Sequence, residues 1–525
     1  MKRLLKLIIL LSLVACHPGT DPAKTLQTSK VELEEITITQ LQQGFKDGTF
    51  TIADVVNTYL DRIEAIDKNG PMLNAIIMVN PDALQIAAEL DRELAAGRSR
   101  GPLHGIPVIL KDNIDTHDKM PNTAGATVLR DSYPQVDSWV AKKLKEAGAV
   151  IIAKSNLSEW ANFRASISSS GWSGIGGQTK NPYVLDRNPC GSSSGSGVAV
   201  SANLCAFAIG TETDGSIVCP SNNNGIVGLK PTVGLISRSG IIPISFTQDT
   251  PGPMGRTVED IAISLGALTG IDSTDSKTLE SENRFHIDYA QFLKQDGLKG
   301  KRIGLLKEFM GFHFRVDSLM NQTVEFLKSQ GAEIIELDYS LPDDVSSASF
   351  QVLLYEFKDG LNKYFKGLGQ ESPVKSLEEL IRFNKTDPVE LKSFDQKLLV
   401  MAQEKGKLDS PEYLEALSKM QKGTREDGIE MLMNENKLDA LIAPSGSPAW
   451  KTDLVNGDHY LGGNTSLAAI AGYPTITVPM GFIDELPVGL SFIGKAWSEP
   501  VLIEIAYGFE QGTKVRKVPK FLKTD

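Results

Sequence analysis

Between Asn188 and Lys230 the chain reads NPCGSSSGSGVAVSANLCAFAIGTETDGSIVCPSNNNGIVGLK. Two Gly/Ser-dense turns, Gly191 to Gly197 and Thr213 to Ser216, are separated by an apolar segment about one helix long. Glycine lets backbone approach a ligand closely, so such turns can present main-chain N–H groups and small hydroxyls together. That is how an oxyanion hole is built around a serine nucleophile. The rest of the chain is organised around this stretch.

A lysine belongs with these turns. Lys111 ends the apolar run Ile106-Pro107-Val108-Ile109-Leu110 and is followed by Asp112 and Asn113. A free lysine titrates near ~10.4 and stays protonated at neutral pH. Burial in an apolar setting depresses that value, and only then can the amine act as a base. Asp112, Asn113 and Asp115 are read as local hydrogen-bonding groups that shape the turn, rather than as cation ligands.

Three blocks, GPLHGIPVILKDN, the serine-rich turn and GTETDGSIVCP with GLKPT, follow one another in a specific order and spacing. Through them the chain resembles the amidase signature family over roughly Val31 to Leu522. NPCGSSSGSG and ETDGSIVCP are most similar to its bacterial peptide amidase subgroup. The resemblance implies an α/β fold with a mixed central sheet covered by helices on both faces. It implies Ser216 as nucleophile, Ser192 as proton relay and Lys111 as base, with a cis peptide at Gly191–Ser192. The N–H groups of Thr213, Asp214, Gly215 and Ser216 would form the oxyanion hole. Ser168, Ser169 and Ser170 would line the substrate pocket, with Met120 to Gly125 and Gly462 to Thr465 nearby. Asp249 and Arg256 would brace the serine turns. Many members carry Gly-Gly-Ser at the nucleophile; Asp214-Gly215-Ser216 departs from that, with consequences for substrate preference rather than for catalysis.

Periodicity supports layered α/β architecture. Apolar residues at Ile52, Val55, Val56, Tyr59, Leu60, Ile63 and Ile66 form one helical face, with Thr51 as N-cap. Helix, glycine, short apolar strand recurs at Val136 to Ala153 and at Ser318 to Leu337. Asn74 to Val79, Leu438 to Ala443, Thr475 to Val478 and Val488 to Ile493 read as strands. The charge-rich segment 340–435 reads as a mostly helical insertion in a single domain spanning 31–525.

Met1 to Cys16, MKRLLKLIILLSLVAC, has a cationic start, a short apolar run and a lipobox-like end. It predicts a cleaved signal peptide with Cys16 lipidated. Residues 17–30 would then be a flexible tether to the outer membrane facing the periplasm. Cys190, Cys205 and Cys219 are an odd number and so form no disulfide framework. Small buried residues are the reading adopted, with a Cys190–Cys219 bridge the minor alternative. The net charge is −11 and no basic stripe occurs, which excludes nucleic acid as a partner. Neither H-E-x-x-H nor C-x-x-C occurs, so no metal or cofactor is expected.

Gly191-Ser192-Ser193-Ser194-Gly195 also matches the G-x-S-x-G elbow, which needs a strand directly before it. Leu185 to Cys190 is a poor strand, and none of the six histidines is a compelling partner. The resemblance therefore implies a hydrolase that cuts linear amides of small molecules or peptides, C-terminal peptide amides among them. The alternatives are a non-catalytic envelope binding lipoprotein and a glutaminase-type amidotransferase subunit. Oligomeric state is not readable from the chain.

Overall fold

The computed structural model describes residues 31–524. The expected signal peptide, the Cys16 lipidation site and the tether at 17–30 lie outside them. Eleven strands form one sheet among the described residues. In chain order these are β1 (Ile76–Val79), β2 (Pro107–Lys111), β3 (Val150–Ser155), β6 (Phe207–Glu212), β7 (Val227–Lys230), β8 (Thr250–Gly255), β9 (Arg302–Leu306), β10 (Glu333–Leu337), β11 (Ala440–Pro444), β12 (Thr475–Ile483) and β13 (Leu486–Ile493). A separate ribbon pairs β4 (Trp172–Ser173) with β5 (Gly177–Gln178). Across the sheet the order is β1-β3-β2-β6-β8-β7-β12-β13-β11-β9-β10. It is mixed: β3, β2 and β6 run parallel, as do β11, β9 and β10, and the rest pair antiparallel. Helices flank the sheet, so the α/β expectation holds.

Local signals explain the periodic elements. The helix Ile52–Arg62 starts in a capping box: Thr51 Oγ1 accepts from Asp54 N, and Asp54 Oδ2 accepts from Thr51 N. Its apolar face, Ile52, Val55, Val56 and Tyr59, is fully buried. Ser138 caps Trp139–Glu146, which Gly148 separates from β3. Ser-rich Ser194–Ser201 is a wholly buried helix, and β6 follows it. The apolar segment between the serine turns is thus a helix and then a strand, not a single helix.

Close packing fixes this helix. A Cβ on Gly195 would stand 2.2 Å from Ala75 O, 2.6 Å from Asn156 O and 2.7 Å from Asn156 N. All three are backbone atoms and cannot swing aside. Gly195→Ala is therefore expected to destabilise the protein by about 3 kcal/mol, read as a lower denaturation midpoint at unchanged slope.

The segment 340–435 folds into helices Asp343–Gly367, Leu377–Asn384, Lys397–Gln403 and Pro411–Thr424, with further turns. Leu354, Phe357, Leu361 and Phe365 pack there against Trp160, Phe163, Ile242 and Ile244. This places the long helix Asp343–Gly367 over the loops beside the C-terminal ends of β2 and β6.

Candidate active site

β2 and β6 are parallel neighbours, Leu110 facing Ile209, so Lys111 and Thr211 leave the sheet at the same edge. Ligands collect at such carboxyl ends of parallel strands. Lys111 is wholly buried. Its Nζ lies 2.8 Å from Ser192 Oγ, 2.8 Å from Thr211 Oγ1 and 3.1 Å from Thr211 O. Burial pushes its pKa down to about 7, while the nearby carboxylates of Asp249 and Glu212 hold it up.

The Gly191–Ser192 peptide is cis, as the resemblance implies. Ser193 N donates to Ser216 O at 3.1 Å, so the two serine turns abut. Among the described residues no hydrogen bond joins Ser192 Oγ to Ser216 Oγ. Gly215 sits at φ +81°, in the left-handed region that glycine tolerates best. The N–H groups of Thr213, Asp214, Gly215 and Ser216 donate to no acceptor among the described residues. The next two behave differently: Ile217 N and Val218 N donate to Glu212 Oε2 at 2.7 and 2.9 Å. Glu212 thus ties off the start of the following helix, Val218–Asn223, and leaves the turn before it with free donors. Glu212 belongs to the GTETDGS block, but the return of its side chain to the main chain is visible only in three dimensions.

Bracing groups surround this core. Asp249 Oδ1 accepts from Thr213 Oγ1 at 2.6 Å, and Oδ2 accepts from Ile244 N and Ser245 N, both at 2.8 Å. Arg256 Nη1 donates to Cys205 O at 2.7 Å and Val200 O at 3.3 Å, holding the connection into β6. Asn113 Nδ2 donates to Thr211 Oγ1 at 3.0 Å. Asp112 accepts from Thr123 Oγ1, and Asp115 accepts from Asn122 and Tyr364. Hydrogen bonding within the protein thus shapes the turn after Lys111. Because the Asp249 charge raises the Lys111 pKa, Asp249→Asn is expected to shift the acid limb of a pH–rate profile to lower pH. The lost turn contacts should also reduce stability by roughly 1–3 kcal/mol, checked by denaturant unfolding.

Of the serines expected to line the pocket, Ser170 lies against Gly191, and the polar groups of all three are engaged. Ser170 donates through N and Oγ to Asp458, Asn188 Nδ2 donates to Ser169 Oγ, and Ser168 Oγ donates to Asn162 Oδ1. Asp458 is not singled out by the sequence; it sits in a loop that no periodicity marks. A cavity of about 330 Å³ opens beside Thr211, Thr213, Asn113 and Asp249, walled by Ile244 and Tyr364.

The cysteine reading is corrected. Cys190 and Cys219 form a disulfide, while Cys205 is free and buried. Counting cysteines could not separate the bridged pair, which flanks the abutting serine turns, from the third residue inside the core.

Known proteins match this fold and chain. The sequence model of the Amidase family matches residues 54–503. A probable amidase of Arabidopsis thaliana is 42% identical over 507 residues, 94% of this chain and 93% of its own. A glutamyl-tRNA(Gln) amidotransferase subunit of Thermoanaerobacter pseudethanolicus is 34% identical, over 93% of this chain and 99% of its own. The crystal structure of native peptide amidase from Stenotrophomonas maltophilia superposes with a TM-score of 0.89 at 48% identity. That match covers 93% of this chain and 99% of the other.

The envelope address is corrected here. The Arabidopsis relative matches nearly the whole chain in an organism without a bacterial outer membrane. Among the described residues no helix is long and apolar enough to cross a membrane. The lipid-anchored periplasmic placement, with its membrane partner and the binding-lipoprotein alternative, is withdrawn. The family match over most of the chain, the near-full-length relatives and the superposable peptide amidase lead to one conclusion: the chain belongs to the amidase signature family and is an amide-hydrolysing enzyme.

Proposed function

We propose that the enzyme cleaves linear carboxamide C–N bonds by a serine mechanism, with C-terminal peptide amides as its substrate class. The observation that carries this reading is a fully buried lysine amine 2.8 Å from the hydroxyl of Ser192. A neutral amine has two N–H donors and one lone pair. The Thr211 carbonyl can only accept, so it takes one N–H, and Thr211 Oγ1 takes the other. The lone pair is then left for the Ser192 hydroxyl proton.

In the proposed reaction Ser192 passes its proton to Lys111 and takes the proton of Ser216. Ser216 Oγ attacks the amide carbon, and the carbonyl π electrons move onto oxygen. The free N–H groups of Thr213 to Ser216 receive that charge; one such donor is worth ~3 kcal/mol of barrier. Ser192 then protonates the leaving nitrogen and takes back the proton held by Lys111, while the oxyanion re-forms the carbonyl, the C–N bond breaks, and ammonia or an amine departs. Water then attacks the acyl carbon, giving a proton through Ser192 to Lys111; the same relay returns it to Ser216 Oγ as the C–O bond breaks and the acid departs. The Ser216–Ser192 contact closes when substrate binds, since catalytic hydrogen bonds are often long without it.

The amidotransferase relative favours one alternative, in which the amide is that of glutamine. Hydrolysis of a panel of peptide amides, simple amides and free glutamine, with products identified by mass, separates the two. The proposal expects peptide amides to turn over fastest. Turnover of glutamine alone would contradict it.

A further inference from the structure

We propose that the Asp214 carboxylate reads the substrate by accepting a hydrogen bond from an N–H on the carbon next to the scissile carbonyl. It would thereby favour α-acylamino amides over simple carboxamides. The inference rests on the amidase reading above and deepens it.

A turn that presents N–H groups has no need of a charge at this place. A carboxylate beside a developing oxyanion is electrostatically unfavourable, because like charges repel more strongly where water is scarce. Asp214 is nevertheless exposed, while Glu212, Thr213, Gly215, Ser216 and Ile217 around it are buried. The side chain therefore reaches the surface two positions from Ser216. It is also held. Thr465 Oγ1 donates to Oδ1 at 2.7 Å, the Ser466 hydroxyl lies beside it, and the buried Lys230 amine offsets its charge from within. Glycine at 215 fits this arrangement, since a Cβ there would press on Thr465 at 3.1 to 3.4 Å.

A carboxylate fixed in this way is acceptor-only, so its ligand must bring a donor. Two peptide units, with Gly215 between, separate its Cα from that of Ser216 by at most about 7 Å. The part of a substrate within that reach is the substituent next to the attacked carbonyl. In a peptide amide this is the backbone N–H. The rim supports the same class: Tyr460, close enough to Asp214 to feel its charge, is half-exposed, and Leu461 is exposed beside it. These offer apolar contact to a residue side chain rather than to a solvated ion.

The test uses N-acetylphenylalaninamide, its N-methyl counterpart, phenylpropionamide, which lacks the nitrogen, and free phenylalaninamide. In wild type, kcat/KM for the acetyl amide should exceed that for the N-methyl and nitrogen-free amides by about 10- to 100-fold. In Asp214→Ala that ratio should fall to within about threefold, with Asp214→Asn between. The ratio is taken within one protein, so damage common to all substrates cancels. The wild-type comparison stands even if a variant does not fold. A wild-type ratio near one, or an unchanged ratio in a folded Asp214→Ala, overturns the inference while leaving the amidase reading intact. A selective loss on free phenylalaninamide alone would mean that Asp214 reads a cation, which also overturns it. No hydrolysis of any amide by wild type would remove the amidase reading and this inference with it.

Discussion

Ser216→Ala is expected to lower kcat/KM on a peptide amide by on the order of 10^5-fold while leaving the fold in place. The size follows from the proposed covalent step. Without the hydroxyl there is no acyl-enzyme, and only the oxyanion donors and substrate binding remain to assist water. The intact fold follows from the surroundings. Ser216 Oγ makes no hydrogen bond among the described residues, so its removal strands no buried partner. The change in melting temperature should stay within about 3 °C. A variant that kept more than about a hundredth of wild-type turnover would place the nucleophile elsewhere, and Ser192 would be the next candidate.

Lys111→Met should cost roughly 10^2- to 10^4-fold in kcat, the range spanned by general-base catalysis. The pH dependence separates a base from a structural lysine. Burial brings the amine to about 7, so the neutral form is lost as pH falls through that value. Wild-type turnover should then fall about tenfold per pH unit below 7 and level off above it, and this limb should vanish in the methionine variant. Stability gives an independent readout. The unfolded lysine holds its proton up to ~10.4, while the folded one releases it near 7. Between these values the unfolded state binds more protons, so wild-type stability should rise with pH. Below about 7 the buried charge is a full penalty. Lys111→Met should therefore melt above wild type at pH 6, with the difference shrinking towards pH 10.

Much of the fold and site is legible in the sequence because local chemistry and global position agree. Thr51 and Asp54 announce a helix start in any context, and the β2 run with its terminal lysine is apolar from end to end. The three sequence blocks meet because β2 and β6 are parallel neighbours, which brings Lys111 and Ser192 together across 81 positions. What stays hidden depends on tertiary context. β8 contains Pro251 and Pro253, which argue against a central strand. The fold tolerates both because the β7 ladder pairs only Met254 and Gly255, leaving the prolines beyond it. β6 hides inside an apolar stretch whose helix and strand carry similar residues. Glu212 folds back on the main chain of the next helix, and Asp458 accepts from Ser170 N 288 positions away; no spacing rule anticipates either. The cysteine pairing escapes because parity says nothing about which residues approach.

A neutral lysine that activates Ser216 through Ser192 is the centre of this account. Its most direct measurement is the rate of fluorophosphonate labelling across pH 5 to 9, with the modified residue mapped by mass. The account predicts an adduct on Ser216 and a labelling rate that rises through an apparent pKa near 7. That rise should be absent in Lys111→Met. An adduct on Ser192, or a rate flat across the range in wild type, would contradict it.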